Sequence, residues 1–350
     1  MNTNYPFISV ILPIRNEEDK ILSTLNSILI QNYKSDKIEI LISDGSSYDN
    51  TITIINNIAN QNPRIKIIKN NYKIVSTGFN LALNEAKGDI IIRIDGHCEI
   101  AQNYIEKCYN LLKETDADIV GGVIETISSG LIGNAISIAQ SSPFGVGGVK
   151  FRRIDLDKGS YVDTLAFGAH RRELYTDIGG YDEEMICNQD DEFNFRAIQA
   201  GKKIWMDPTI QIKYYSRSSF SNLFKQYFNY GCFKVRGIQK RRQIISIRHL
   251  IPATFVVGLM GTLIPGFILQ QPWFSSSVLT IYMIINILFS IIVAPSISLI
   301  PLIFLSYWTL HLGYGLGFIW GFIRFLGKWS DTSLKDNHFN KEKFISNSRA

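Results

Sequence analysis

Residues 90–97 read Ile-Ile-Ile-Arg-Ile-Asp-Gly-His, a β-branched run that stops abruptly on Asp95, Gly96 and His97. Such a run, closed by turn formers, predicts a short buried strand whose end delivers polar side chains into a loop. Upstream, helical spacing over 76–87 ends at Gly88, which reads as a helix C-cap. Further back, the runs Ile8–Leu12, Ile38–Ile42 and Ile65–Ile68 read as strands. Apolar Ile21, Leu22, Leu25, Ile28 and Leu29 give a helix over Glu18–Ile30, and a second helix follows Asp49. Strand–helix alternation of this kind predicts an α/β fold, Rossmann-like, with a mostly parallel sheet and helices on both faces. Ligands of such sheets sit beyond the carboxyl ends of the strands.

The residues just after each strand are therefore the ones that matter. After the first come Pro13, Arg15, Asn16, Glu17 and Glu18; after the second, Asp44-Gly45-Ser46-Ser47; after the fourth, Asp95-Gly96-His97. No GxGxxG follows the first strand, and no GxxxxGK[ST] occurs, so dinucleotide and P-loop readings lose their support. Acids stand at the strand ends instead. They suit a divalent cation that holds phosphate, or hydrogen bonds from a base and ribose.

The chain has 350 residues, 46% hydrophobic and 19% charged, with a net charge of +5. The charged fraction is below the roughly 25% of soluble domains, and the excess of cations is too small to point to nucleic acid. Cys98, Cys108, Cys187 and Cys232 form no CxxC pair, which favours reduced thiols over a disulfide framework. The apolar run at the start is a strand, not a signal-peptide core, so the first domain is expected to stay in the cytoplasm. From His249 to Ile323 there is no Asp, Glu, Lys or Arg. About 20 residues cross a bilayer, and the stretch offers spans at about 250–270, 277–295 and 301–323. Gly313, Gly317 and Gly321 recur every four residues on the third, giving a smooth face for helix packing. Lys240, Arg241, Arg242 and Arg248 precede the first span and argue for a cytoplasmic N-terminal domain. The tail carries Arg324, Lys328, Lys335, Lys341 and Lys343 and also prefers the cytoplasm, whereas three full crossings would put it outside.

Taken in order, ISVILPIRNEE, LISDGSSYDNT, Arg93-Ile-Asp95-Gly-His97, Gly179-Gly180-Tyr181-Asp182-Glu183 and Gln189-Asp190-Asp191-Glu192-Phe193 resemble the family 2 glycosyltransferases of GT-A fold. The likeness runs over about residues 6–235 and is nearest to the membrane-anchored, succinoglycan-type enzymes, with Ser142-Pro143-Phe144-Gly145-Val146-Gly147-Gly148 contributing to it. It implies an inverting transfer from a nucleoside-diphosphate sugar, UDP-sugar ahead of GDP-sugar, to a polyprenyl-diphosphate-linked saccharide in surface polysaccharide synthesis. Alternatives are a polyprenyl-phosphate glycosyltransferase and a non-catalytic membrane scaffold; a nucleotidyl- or phosphotransferase lacks its phosphate loop. The organisation implied is a catalytic domain over 1–236, a basic juxtamembrane segment at 237–248, two or three transmembrane helices within 249–326, and a polar tail over 327–350. The protein would be a multi-pass protein of the cell inner membrane, its catalytic domain cytoplasmic.

By the same resemblance, Pro13, Arg15, Glu17 and Asp44 line the nucleotide pocket, although Asp44 could equally close an Asx-turn. Asp95 and His97 fall on the family's DxD motif, His replacing the second Asp, and would hold Mn²⁺ or Mg²⁺, with Asp95 also near the nucleotide. Imidazole suits Mn²⁺ better than Mg²⁺. Asp190 takes the place of the general base and Gln189 that of the usual Glu; Asp191 is a rival one residue on. An acid cluster at a helix start would favour the dipole in either case. Gln226-Tyr-Phe-Asn229-Tyr230 has the spacing of the family's Gln-x-x-Arg-Trp motif with both last residues changed, which argues for single-sugar addition. Gln226, Lys225, Lys234 and Arg236 could touch acceptor or phosphates. A plain basic face beside the membrane explains the cations as well. Phe220, Phe224, Tyr227, Phe228 and Tyr230 read as an amphipathic interfacial helix beside membrane lipids.

Overall fold

The computed structural model of the protein describes residues 5–153, 156–216, 218–243 and 247–348. Of the basic segment expected at 237–248, residues 244–246 lie outside the described residues. In chain order the elements begin β1 (Ile8–Ile14), α1 (Ile21–Leu29), β2 (Ile38–Asp44), α2 (Thr51–Ala59), β3 (Ile65–Lys69), α3 (Val75–Leu83), β4 (Ile90–Arg93) and β5 (Cys98–Ile100). They continue with α4 (Tyr104–Glu114), β6 (Ile119–Ile127), α5 (Gly130–Ser141), α6 (Pro143–Val146), β7 (Ser160–Tyr161), β8 (Ala169–Arg171), α7 (Arg172–Ile178), α8 (Gln189–Gln199) and β9 (Ile204–Tyr215). The helices α9 (Phe220–Arg241), α10 (Ile251–Ile268), α11 (Pro272–Val293), α12 (Ile300–Arg324) and α13 (Lys341–Asn347) complete the chain. The chain forms two compact units: Met1–Glu125, Arg153–Tyr214 and Leu334–Ala350 make the first, Thr126–Arg152 and Tyr215–Ser333 the second.

The first unit is built on a mixed sheet in the order β3-β2-β1-β4-β8-β6-β9-β5, with β7 on β9. β3, β2, β1 and β4 run parallel, as the strand–helix alternation requires; β8 joins β4 antiparallel and opens a second half of antiparallel pairs. Every residue of β1 is buried, because a central strand covered on both faces has no polar side. The chain moves from β1 outward to β2 and β3, then returns to the other flank of β1 as β4. The order thus reverses between β1 and β4, and their carboxyl ends border the crevice where such sheets bind ligands. Gly88 does not cap the preceding helix, which ends at Leu83. A Cβ at Gly88 would collide with the Ser9 backbone nitrogen and lie 2.7 Å from the Ile90 carbonyl oxygen, so glycine is needed there for close passage of two chains.

The second unit is helical. Three of its segments, Ile247–Ile268, Ser276–Val293 and Ile297–Arg324, are long and apolar enough to cross a membrane. The glycine stripe of α12 is a packing face, and its partner is α9. A Cβ at Gly313 would lie 3.1 Å from the Phe224 carbonyl oxygen, one at Gly317 would overlap that of Phe228, and one at Gly321 would reach that of Cys232 at 2.5 Å. The residue-236 boundary expected from the sequence falls inside α9. The segment Ser142–Gly148 forms α6: Ser142 accepts the Gly145 N–H, and Gly147 closes the turn at φ 71°. Phe144 of this helix stacks on Phe289 at 4.8 Å and meets Tyr307 and His311 edge-on.

Candidate active site

The loops after β1 and β2 are tied to one another. Asp44 ends β2 opposite Ile14 of β1, and its carboxylate accepts the Ser47 hydroxyl at 2.6 Å and the Ser47 N–H at 3.2 Å. The same hydroxyl accepts the Asn16 N–H at 2.9 Å, while Asn16 Oδ1 accepts the Tyr48 N–H at 3.0 Å. Asn16 adopts a left-handed φ of 55°, which asparagine tolerates better than most residues. Asp44 is thus the acceptor of an Asx-turn in the present geometry. Pro13 is buried within β1, Arg15 is exposed beyond its end, and Tyr48 projects with 83% of its surface exposed.

Glu17 carries this rim across to the β4 loop, where its Oε1 lies 2.9 Å from His97 Nδ1. A Cβ on Gly96 would meet Glu17 Cγ at 2.8 Å and Ile14 Cγ2 at 2.9 Å, so the glycine lets the two loops close on each other. Thr24 Oγ1 donates to the Gly96 carbonyl at 2.9 Å from beneath. The glutamate fixes one ring nitrogen of His97, the kind of contact by which a carboxylate orients an imidazole so that its other nitrogen can meet an ion.

The third group surrounds Arg93, which is 4% exposed. Its guanidinium donates twice to Asp95 Oδ1, at 2.9 and 3.2 Å, and lies 5.6 Å from the centre of the Tyr181 ring. Burial opposes the charge on Arg93, but Asp95, Tyr181 and Asp190 together more than offset it and hold it protonated. Asp190, in the first turn of α8, is pushed up to about 6, by burial first and then by the Asp191 carboxylate, with Arg93 pulling the other way. A helix N-terminus lowers the pKa of an acid. Here burial wins. Asp190 Oδ1 accepts the Asp191 N–H at 2.9 Å, whereas Asp191 Oδ1 receives the Thr164 hydroxyl at 2.7 Å. The rival acid is therefore held by Thr164, in the loop between β7 and β8. Below the cluster His170 is pushed down to about 3, by burial and then by Arg93, and stays neutral; its Nδ1 lies 2.6 Å from the Tyr175 hydroxyl.

The loop leading into α8 is gripped from inside. Arg196 donates to the carbonyls of Ile178 and Gly180 and to Glu192, and Asn80 of α3 clasps both the N–H and the carbonyl of Tyr181 at 2.8 Å. Burial lowers Arg196 to about 10, which leaves it cationic near neutrality.

Residues 9–173 match the description "Glycosyl transferase family 2". The succinoglycan biosynthesis protein ExoA of Rhizobium meliloti (strain 1021) is 30% identical over 260 residues, covering 73% of this chain and 77% of its own. The chain belongs to glycosyl transferase family 2. A second relative, from Methanococcus voltae, is a dolichyl N-acetyl-α-D-glucosaminyl phosphate 3-β-D-2,3-diacetamido-2,3-dideoxy-β-D-glucuronosyltransferase, 30% identical over 271 residues, 75% of this chain and 83% of that one. Among solved structures, the mannosyltransferase PcManGT of Pyrobaculum calidifontis, in complex with GDP-Man and Mn²⁺, shares the fold at a TM-score of 0.56 and 16% identity over 91% of this chain and 88% of that one.

Within the candidate site, Asp95 and Asp190 act on one buried guanidinium, and Glu17 joins His97. Lys225, Gln226, Lys234 and Arg236 belong to the second unit. Lys225 is exposed, Gln226 Nε2 donates to the Tyr230 hydroxyl at 2.9 Å, and Lys234 is buried. Arg236 is fully buried; it donates to the Lys328 carbonyl at 3.0 Å and lies 3.5 Å from Asp331. Sequence reasoning missed Arg93, Asn80 and Thr164 as supports. One signal was available: Arg93 is the single charge in a strand otherwise made of isoleucine, and a buried charge needs a partner.

Proposed function

We propose that this glycosyltransferase moves a sugar from a nucleoside-diphosphate donor, UDP-linked, to a lipid-linked saccharide with inversion, Asp190 being the general base. The observation that supports this most is the pairing of Arg93 with Asp95 on one side and Asp190 on the other, with Asp190 pushed up to about 6. A base poised near the working pH is ionised yet holds a proton well once it takes one. The acceptor hydroxyl oxygen attacks the anomeric carbon as the bond to the diphosphate oxygen breaks, and its proton passes to Asp190. Direct displacement inverts the centre. Pro13, Arg15 and Asp44 border the nucleotide in this reading, with Asp44 exchanging its Ser47 bonds for those of the base.

Asp95 and His97 supply two donors suited to Mn²⁺ or Mg²⁺, and Glu17 already orients the imidazole. When bound, the ion would neutralise charge on the leaving diphosphate. The lipid-linked acceptor is suggested by the dolichyl-phosphate substrate in the name of the Methanococcus relative and by the three apolar helices. They favour a membrane-attached protein, and the basic residues before α10 favour a catalytic unit on the cytoplasmic side.

The test is a panel of nucleotide sugars offered to the membrane-embedded protein, scored for binding by protection from heat and for transfer to polyprenyl-linked saccharides. Asp190→Asn should bind the preferred donor as the parent does and transfer nothing. An active variant would remove the base from Asp190. Paramagnetic Mn²⁺ should show donor-dependent binding that is lost in Asp95→Ala; unchanged Mn²⁺ binding in that variant would remove the cation from this loop.

A further inference from the structure

After α12 the chain returns to the catalytic unit. Residues from Leu334 onward belong to the same compact unit as the sheet. Lys335 gives its carbonyl to the Glu183 N–H at 2.7 Å, Asp336 Oδ2 accepts the Gly180 N–H at 3.2 Å, and His338 binds the Glu183 carboxylate through its N–H and ring at 3.0 and 2.5 Å. Asn84, just after α3, accepts the Asn340 N–H and donates to the His338 carbonyl, each at 2.7 Å. Phe344 is fully buried, with the Arg172 guanidinium 3.7 Å from its ring centre. Backbone bonds, a buried aromatic and side-chain bonds to Glu183 on one short segment describe a docked element, not a loose tail.

A second observation comes from the other unit. Arg236, Gln239 and Lys240, which precede α10, donate to the carbonyls of Lys328, Phe325 and Ser333, which follow α12, at 3.0 to 3.1 Å. The entry to the apolar region and the exit from it therefore stand side by side.

We propose that residues 334–348 and the catalytic residues occupy one face of the membrane, so that α10, α11 and α12 together make an even number of complete passes. A bilayer interior is about 30 Å thick, and hydrogen bonds of 3 Å cannot join groups on its two sides. Three complete passes would separate both sets of partners. The positive residues of the tail then obey the same charge rule as those before α10, and the conflict visible in the sequence disappears. The proposal rests on the membrane attachment inferred above.

The experiment uses the full chain in membrane vesicles. Cys98, Cys108 and Cys232 are buried, so Cys187→Ser removes the one partly accessible native thiol. Asn57→Cys on α2 and Glu342→Cys on α13 then each place a thiol at an exposed position. A membrane-impermeant maleimide should label both in inside-out vesicles and neither in right-side-out ones. Labelling of Glu342→Cys in the preparation where Asn57→Cys is protected would overturn the proposal. Extraction of the protein by alkaline carbonate would also overturn it, but by removing the membrane attachment on which it stands, and the two failures are told apart by where the protein is found.

Discussion

Two buried arginines, one in each compact unit, show how the same side chain serves different ends. Arg93 is 4% exposed and faces carboxylates: Asp95 directly and Asp190 through space. Arg236 is 0% exposed; it donates to the Lys328 carbonyl after α12 at 3.0 Å and lies 3.5 Å from both Asp331 and the Gln239 side chain of its own helix. A buried cation beside acids sets their proton affinity; one beside carbonyls satisfies polar groups that a helix end leaves over. In the proposed mechanism the first role serves chemistry, while the second serves folding. Disturbing the two units should therefore give separable results.

The largest effect expected is at Asp190. Asp190→Asn should lower kcat by about 10² to 10⁴, the usual worth of a positioned base, with donor binding retained. In the parent, activity should fall below a limb near pH 6, since the base must be ionised. Stability carries the opposite sign. An acid at about 6 in the fold and near 3.8 when unfolded favours folding at low pH, and that contribution is lost as pH rises through about 6. The asparagine variant should thus melt no lower than the parent at pH 8, and any advantage it has there should be lost at pH 4. A variant that is both inactive and destabilised at pH 8 would show that Asp190 holds the fold instead.

Next in size is Arg93→Met. Loss of one partner from a buried pair costs about 3–5 kcal/mol, because the remaining charge is left uncompensated. Asp190 also loses the cation that lowers it, so the acidic limb of the pH–rate profile should move up from pH 6. A profile that stays in place, at whatever reduced rate, would break the link between Arg93 and Asp190. Arg236→Met sharpens the contrast from the other unit. It should cost about 1–3 kcal/mol of stability by stranding a carbonyl, with KM for donor and acceptor unchanged. A raised acceptor KM with normal melting would return Arg236 to the phosphate-contact role that its sequence position suggested.

What could be read from the sequence follows the range of the interactions. The strand ends at Asp44, Asp95 and His97 were legible because β-branched runs and turn formers act over a few residues. The stripe Gly313, Gly317 and Gly321 was legible as a smooth face, yet its partner was not: α9 lies some 90 residues earlier in the chain, and no local pattern names it. Gly88 misled for the same reason, since a glycine before a strand looks the same whether it ends a helix or lets Ser9 pass. The laced loops around Ser47 depend on hydroxyl geometry that spacing does not encode. The turn to an antiparallel half was invisible because β8, the strand that makes it, is only three residues long and placed by its neighbours.

The smallest effect expected is at the tail. Asp336 Oδ2 is the acceptor for the Gly180 N–H, and Gly179 beside it sits at φ 80°, a conformation that only glycine takes easily. On the far side of the same turn Arg196 holds the Gly180 carbonyl, so the loop into α8 is fixed between a carboxylate and a guanidinium. Asp336→Ala removes one of the two. A single hydrogen bond is worth about 1 kcal/mol, and if that energy holds the loop in place, kcat falls about fivefold. Donor KM should not move, since the loops after β1 and β2 are held to each other through Ser47. Asp336→Asn keeps an acceptor at the same position and should restore most of the rate. Equal losses in the alanine and asparagine variants would show that charge, not the bond to Gly180, is what the tail supplies; an alanine variant with normal kcat would reduce the tail to a passive cover on the first unit.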